Sequence, residues 1–215
     1  MTQLALDLLQ PLQPTLDNFV PGPNAEAVAA LRMLAAGRLA ERIVYLWGSA
    51  GCGRTHLLAA LAAGGAVWWT PDAAADADGI TLVDDVERLD AAAQVALFNR
   101  LNEVRTRARA ACVVAGGAAP AHLPLREDLR TRLAWGYVYR LQPLTDDEKA
   151  AALAAHAAGR GLRCDPDVIP FLLTQLPRDM RTLVAALEAL DAWALARKRA
   201  LTLALAREWL AGGGP

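Results

Sequence analysis

Apolar positions follow two rhythms along this chain, and the change from one to the other divides it. Up to about position 144, short apolar runs alternate with longer segments of helical spacing. RIVYLW (42–47), AVWWT (66–70), ITLVDD (80–85), AACVVAG (110–116) and YVYRL (137–141) read as five strands, the first buried and ending in glycine. Asn24 stands where it would cap a helix running through Leu39, and Thr55 to Ala63 reads as a second helix. A third runs from Ala91 to about Arg109, with Val95, Phe98, Leu101 and Val104 or Arg105 at three-to-four spacing. A short helix near Arg126–Leu133 precedes the last strand. Strands alternating with helices predict an α/β fold, a parallel five-stranded sheet covered on both faces.

Beyond Leu144 the strand rhythm stops. Thr145 caps a helix through about Ala158, with Glu148 completing a capping box. Segments 166–176, 178–196 and 202–210 continue as helices, and Leu183, Leu187, Leu190 and Ala194 form one apolar stripe. The expected organisation is an extended N-terminal segment over residues 1–14, an α/β domain over 15–144 and a small all-α domain over 145–215. The segment from Pro71 to Gly79 is short for a parallel crossover, which ordinarily takes about a dozen residues. Either that connection is a bare loop or the second strand lies elsewhere.

Composition narrows the chemistry only modestly. The 215 residues are 54% hydrophobic and carry a formal net charge of −1, so no overall field draws the chain to nucleic acid or a membrane. No apolar run has bilayer length, and MTQLALDLLQ lacks the basic start of a signal peptide. Cys52, Cys112 and Cys164 are far apart without metal-ligand spacing, which fits a reduced cytoplasm. Lysine is rare beside arginine, a coding bias that by itself accounts for an arginine in an unexpected place.

That place is the loop GSAGCGRT after the first strand, with Gly48, Gly51, Cys52, Gly53, Arg54, Thr55 and then His56. It is a phosphate-binding loop, G-x-x-x-x-G-K-[ST], with Arg54 for lysine. Strand, glycine loop and helix converge backbone N–H groups and a helix dipole on one point, and Thr55 can ligate Mg²⁺. TLVDDVERL supplies an acidic strand end: Asp84 for Mg²⁺ and Asp85 to polarise a water.

With loop and acidic pair together, the chain resembles the AAA+ ATPases, and within them the DnaA branch, over nearly its whole length. TLDNFVPGPNAEAVAAL (15–31) resembles the segment that lies against the adenine, which points to Asn18, Phe19 and Val20. DLRTRLAWGYVYRLQPLTDDEK (128–149) resembles the arginine-finger segment, where Arg132 takes the finger position and Arg126 and Arg130 are the alternatives. LPRDMRTLVAALEALD (176–191) resembles the lid's sensor-2 helix, with Arg181 as its arginine and Arg178 as a rival. No helix-turn-helix segment follows, so direct sequence-specific DNA binding is not expected. A DnaA-like module of this kind, with arginine in its loop, resembles the Hda family of regulatory DnaA inactivators. QLALDL (3–8), with Gln3, Leu4, Leu6 and Leu8, is similar to the peptide by which proteins bind the β sliding clamp of DNA polymerase III.

The resemblance implies a cytoplasmic negative regulator of replication initiation. It would hold ADP, or alternatively ATP, with Mg²⁺, bind the DNA-loaded clamp, and offer Arg132 to ATP on DnaA. Self-association is left open. One departure bears on turnover: the polar sensor-1 position falls on Ala115, Gly116 and Gly117, which have no side chain to orient a water. Arg54 can pair with phosphate as a planar fork, so binding is expected and own hydrolysis is expected to be weak. A helicase-loader-like ATPase and a bare adaptor without finger chemistry are the alternatives.

Overall fold

The computed structural model describes residues 13–71 and 78–212. Two compact units divide the chain, one over Gln13–Pro143 and the other taking in everything from Leu144 onward.

The first unit is built on five strands, β1 (Ile43–Trp47), β2 (Val67–Trp68), β3 (Gly79–Val83), β4 (Ala110–Gly116) and β5 (Tyr137–Arg140). They lie in the order β2-β3-β4-β1-β5, and every adjacent pair is parallel. β4 is buried along its whole length, which is why AACVVAG reads as an unbroken apolar run rather than an alternating one. Alternate residues of the central strands serve opposite faces. Val44, Leu46, Val113 and Ala115 pack with helices α1 (Ala25–Ala35) and α2 (Arg54–Ala63). Ile43, Tyr45, Cys112 and Val114 pack with α3 (Ala91–Thr106) and α4 (Glu127–Leu133). The second strand therefore lies where its sequence places it, but it has only two residues, both exposed at the sheet edge. Its connection to β3 includes residues 72–77, which lie outside the described residues.

Two expectations are corrected here. Of the stripe read on α3, Leu101 and Val104 are buried and Phe98 packs half-buried beside them, but Val95 is 39% exposed, and Leu97 and Arg100 join the buried face instead. The Arg100 guanidinium reaches under the sheet and donates to the Thr81 hydroxyl at 2.8 Å, and this buried bond is consistent with the phase of the helix. Asn24 precedes α1, yet its side chain makes no cap, and the helix ends at Ala35 instead of Leu39. The amide instead exchanges two 2.8 Å bonds with Gln142, donating to its carbonyl and accepting from its N–H. Asn24 thus ties the start of α1 to the chain leaving β5.

The second unit holds α5 (Asp146–Gly159), α6 (Val168–Gln175), α7 (Met180–Ala196) and α8 (Leu203–Ala211). The Thr145–Glu148 capping box is present in both directions, and Asp179 and Thr202 cap α7 and α8. Leu183, Leu187, Leu190 and Ala194 line its core as their spacing predicts. Glu188 is buried on the same helix, where it accepts from His156 at 3.0 Å and from Arg160.

The role found for Asn24 separates two substitutions. Asn24→Ala removes two part-buried hydrogen bonds to the Gln142 peptide groups, a loss of roughly 1–3 kcal/mol. Asn24→Ser restores a good cap residue but not the reach to Gln142. Both variants are expected to lower the denaturant midpoint alike, and recovery by serine would return Asn24 to a capping role.

Candidate nucleotide site and arginine-finger segment

The parallel register decides where the site stands. β1 and β4 end side by side, with Trp47 opposite Gly116, and Val83 of β3 lies opposite Val114. The glycine loop leaves β1 at this edge and enters α2 through Gly53, whose φ of 99° favours glycine. Space imposes the same choice, because a Cβ on Gly53 would lie 2.5 Å from the Phe19 ring. Gly48 is likewise closed in by the Leu141 carbonyl and the Cys52 sulfur. Cys52 is buried, and burial pushes its thiol up against the opposing pull of Arg54. A helix N-terminus behind such a loop directs N–H groups and positive potential outward.

The Thr55 hydroxyl donates to Asp84 Oδ2 at 2.8 Å, which brings together the two side chains expected at Mg²⁺. A hydroxyl and a carboxylate oxygen fit that ion, which takes few protein ligands and completes an octahedron with phosphate and water oxygens. No larger group of metal-binding side chains occurs among the described residues.

Residues 13–20 fold back onto the start of α2. Thr15 and Asn18 exchange bonds of 2.8 and 3.0 Å, and the Asn18 amide also donates to Gln13. His56 Nε2 lies 3.1 Å from Asn18 Oδ1 and 3.3 Å from the Thr15 carbonyl, with its ring 5.4 Å from that of Phe19. Val20 follows Phe19 and is half-buried. Asn18, Phe19 and His56 therefore meet at the loop, although the sequence holds them far apart.

Arg54 turns toward protein carboxylates. Its Nη2 is 4.0 Å from Asp85 Oδ1, and Asp85 also pairs with Arg88 at 3.4 Å. Glu87, which the sequence motifs did not single out, stands in the turn Val86–Arg88. Its Oε1 accepts from the Gly117 N–H at 2.9 Å, the very segment where a polar side chain is lacking. Glu87 Oε2 and Arg54 Nη1 are both buried without a hydrogen-bond partner. The spacing D-D-x-E was visible in the sequence, but its meaning depends on the room left by two glycines after β4.

In the segment expected to carry the finger, the three arginines have separate partners. Arg126 grips Asp128 with two bonds of 3.2 and 2.8 Å, and this pairing holds the Asp128 carboxyl below its usual range. Arg130 donates to the Ala121 carbonyl at 3.1 Å. Arg132 has no carboxylate among the described residues. Its guanidinium lies 3.6 Å from the Trp135 ring centroid and 5.2 Å from that of Phe98. Its Nε and Nη1 are buried without a hydrogen-bond partner. Trp135 is 45% exposed and borders a hollow shared with Phe98, Glu127 and Thr131.

In the helical unit, Arg181 sits exposed in the first turn of α7, whereas Arg178 pairs with Asp146 at 2.9 Å. Gln3, Leu4, Leu6 and Leu8 lie outside the described residues.

A five-stranded parallel sheet in this order, a phosphate-type loop facing an acidic strand end, and a four-helix unit later in the chain make up an AAA+ type fold. Residues 146–210 match the family described as "Hda, lid domain". The fold is similar to domain III of the replication initiation protein DnaA from Thermotoga maritima, with a TM-score of 0.75 and 22% identity over 95% of this chain and 98% of that one. It is also similar to AMPPCP-bound DnaA from Aquifex aeolicus (TM-score 0.68, 21% identity, 89% of this chain and 70% of that one). A RuvB variant from Thermotoga maritima shares the fold at TM-score 0.71 and 16% identity over 94% of this chain and 73% of that one. The helical unit thus matches an Hda-type lid, and the chain as a whole has the fold shared by DnaA and RuvB. No helix among the described residues is long and apolar enough to cross a membrane.

Burial lowers the affinity of His56 for a proton below that of a free imidazole, against a smaller opposing effect of the Thr15 carbonyl. The ring therefore stays neutral at pH 7. Its contribution to stability is complete above the unfolded value of 6.5 and is lost as pH falls toward the lower folded value. An NMR titration should show a histidine resonance responding below 6.5, and His56→Gln should remove that resonance. A His56 signal with an ordinary midpoint would contradict the burial described here.

Proposed function

We propose that the chain is a nucleotide-holding negative regulator of replication initiation that acts on DnaA. It retains ADP, or ATP as the alternative, with Mg²⁺. It binds the DNA-loaded β sliding clamp through residues 1–14, and it offers Arg132 to ATP bound on DnaA. The three-part organisation 1–14, 15–144 and 145–215 belongs to this reading, as does a cytoplasmic location. The observation that carries it is the conjunction of an Hda-type lid with an arginine stacked on an exposed indole, uncommitted to any carboxylate among the described residues.

In this reading Gly48, Gly51, Cys52, Gly53, Arg54 and Thr55 hold phosphates by backbone N–H groups and the α2 dipole. Thr55 and Asp84 hold Mg²⁺, which would neutralise phosphate charge. Asn18, Phe19, Val20 and His56 face the base, and Arg181 serves from the lid. Asp85 is assigned the water-polarising role, although its carboxylate lies between Arg54 and Arg88. That placement supports weak turnover of the chain's own nucleotide. The solved DnaA with AMPPCP supports nucleotide binding by this fold. Arg132 would stabilise charge developing on the neighbour's transferred phosphoryl group, the task of an arginine finger.

Arg132→Ala is expected to leave nucleotide and clamp binding intact while reducing stimulated hydrolysis by DnaA by roughly 10³–10⁵-fold. Stimulation at normal strength would retire the finger. Steady turnover by the purified protein alone would favour the loader-like ATPase instead. Replacing Gln3, Leu4 and Leu6 together by alanine should abolish retention on immobilised clamp, and undiminished retention would remove the peptide from the scheme.

A further inference from the structure

Arg54 is the cation of the loop, yet the structure surrounds it with negative charge. Asp85 Oδ1 lies 4.0 Å from Nη2. A Cβ built on Gly117 would lie 2.9 Å from Glu87 Oε1 and 4.0 Å from Arg54 Nη1, so the carboxylate and the guanidinium converge on one spot. That spot is where the side chain of residue 117 would begin. Glycine there makes room for Glu87, and the Gly117 N–H fixes its Oε1. Gly116 is needed as well, since a Cβ there would run into the Tyr45 hydroxyl and come within 3.1 Å of Glu87 Oε2. The Tyr45 hydroxyl is anchored on the Ala118 carbonyl at 2.7 Å, and burial, then the Glu87 charge, keep it protonated.

We infer that Glu87 makes the site selective for a nucleoside diphosphate over a triphosphate. The inference rests on the nucleotide-holding reading above and deepens it. Two phosphates can be held by the loop N–H groups and the helix dipole, which involve no part of Glu87. A third phosphate would have to draw on Arg54 beside β4, where it meets a fixed carboxylate. A carboxylate repels a phosphate about as strongly as a guanidinium at the same distance attracts it, so Glu87 offsets what Arg54 would lend a third phosphate. Glu87 Oε2 is closed to solvent, which separates this role from that of a group polarising a water.

The test compares the affinities of ADP and ATP, each with Mg²⁺, by calorimetry on the full chain and on Glu87→Gln and Glu87→Ala. Glutamine keeps the shape and an acceptor for Gly117, and thermal melting checks that each variant folds. The full chain is expected to prefer ADP, and both variants should shift the ADP-to-ATP preference toward ATP by about tenfold or more. An unchanged preference in either folded variant overturns the inference while leaving nucleotide holding in place. So does a Glu87→Gln protein that keeps the preference but loses hydrolysis, which would make Glu87 a water-polarising group. If the full chain binds neither nucleotide, the reading beneath the inference fails first.

Discussion

Parallel pairing of β1 with β4 and of β4 with β3 is the constraint on which the candidate site depends. Parallel strands end on the same side, so the loop after β1, the acidic pair after β3 and the glycines after β4 are delivered to one edge. Seven buried residues of β4 hold that edge in place, and their small side chains admit helices on both faces. Slipping the register by one residue would turn each face over and separate Thr55 from Asp84. The chemistry thus rests on ordinary apolar packing several residues away from it.

Charge balance at the loop distinguishes this site from a simple anion cradle. Arg54 has two carboxylates for company, and the polypeptide has removed side chains at 116 and 117 to let one of them in. A buried cation with protein anions close by is stabilised without a ligand, which lets the loop keep its shape. The side expected to face a base is built differently. There Phe19 packs on Gly53, and His56 and Asn18 hold each other through hydrogen bonds. One half is electrostatic and the other a packed clasp of neutral groups.

Much of this was legible from residue order because its signals are local. Strand runs, the glycine loop, the capping box at Thr145 and the Leu183–Ala194 stripe each depend on neighbours in sequence. The failures have a common cause in long-range contact. Alanine-rich α3 admits several phases, and Thr81, on another element, is the partner of its buried Arg100. Asn24 has the chemistry of a cap, but Gln142 draws its amide away. Glu87 could not be singled out because its position has meaning only once Gly117 lies next to it. Arg132 was singled out by resemblance alone, whereas its aromatic partners, Phe98 and Trp135, come from a helix and a turn that sequence reading had not joined to it.

The stacking of Arg132 on an indole carries a further implication. Had a carboxylate held that guanidinium, its departure would strand an anion in a half-dry place, and withdrawal would be opposed by desolvated charge. An aromatic face leaves nothing ionised behind when the cation swings out. An indole ring also has no acidic or basic group to titrate, so the resting perch offers acidity no handle on release. The side chain, its buried Nε and Nη1 still without partners, can leave its perch without a proton changing hands.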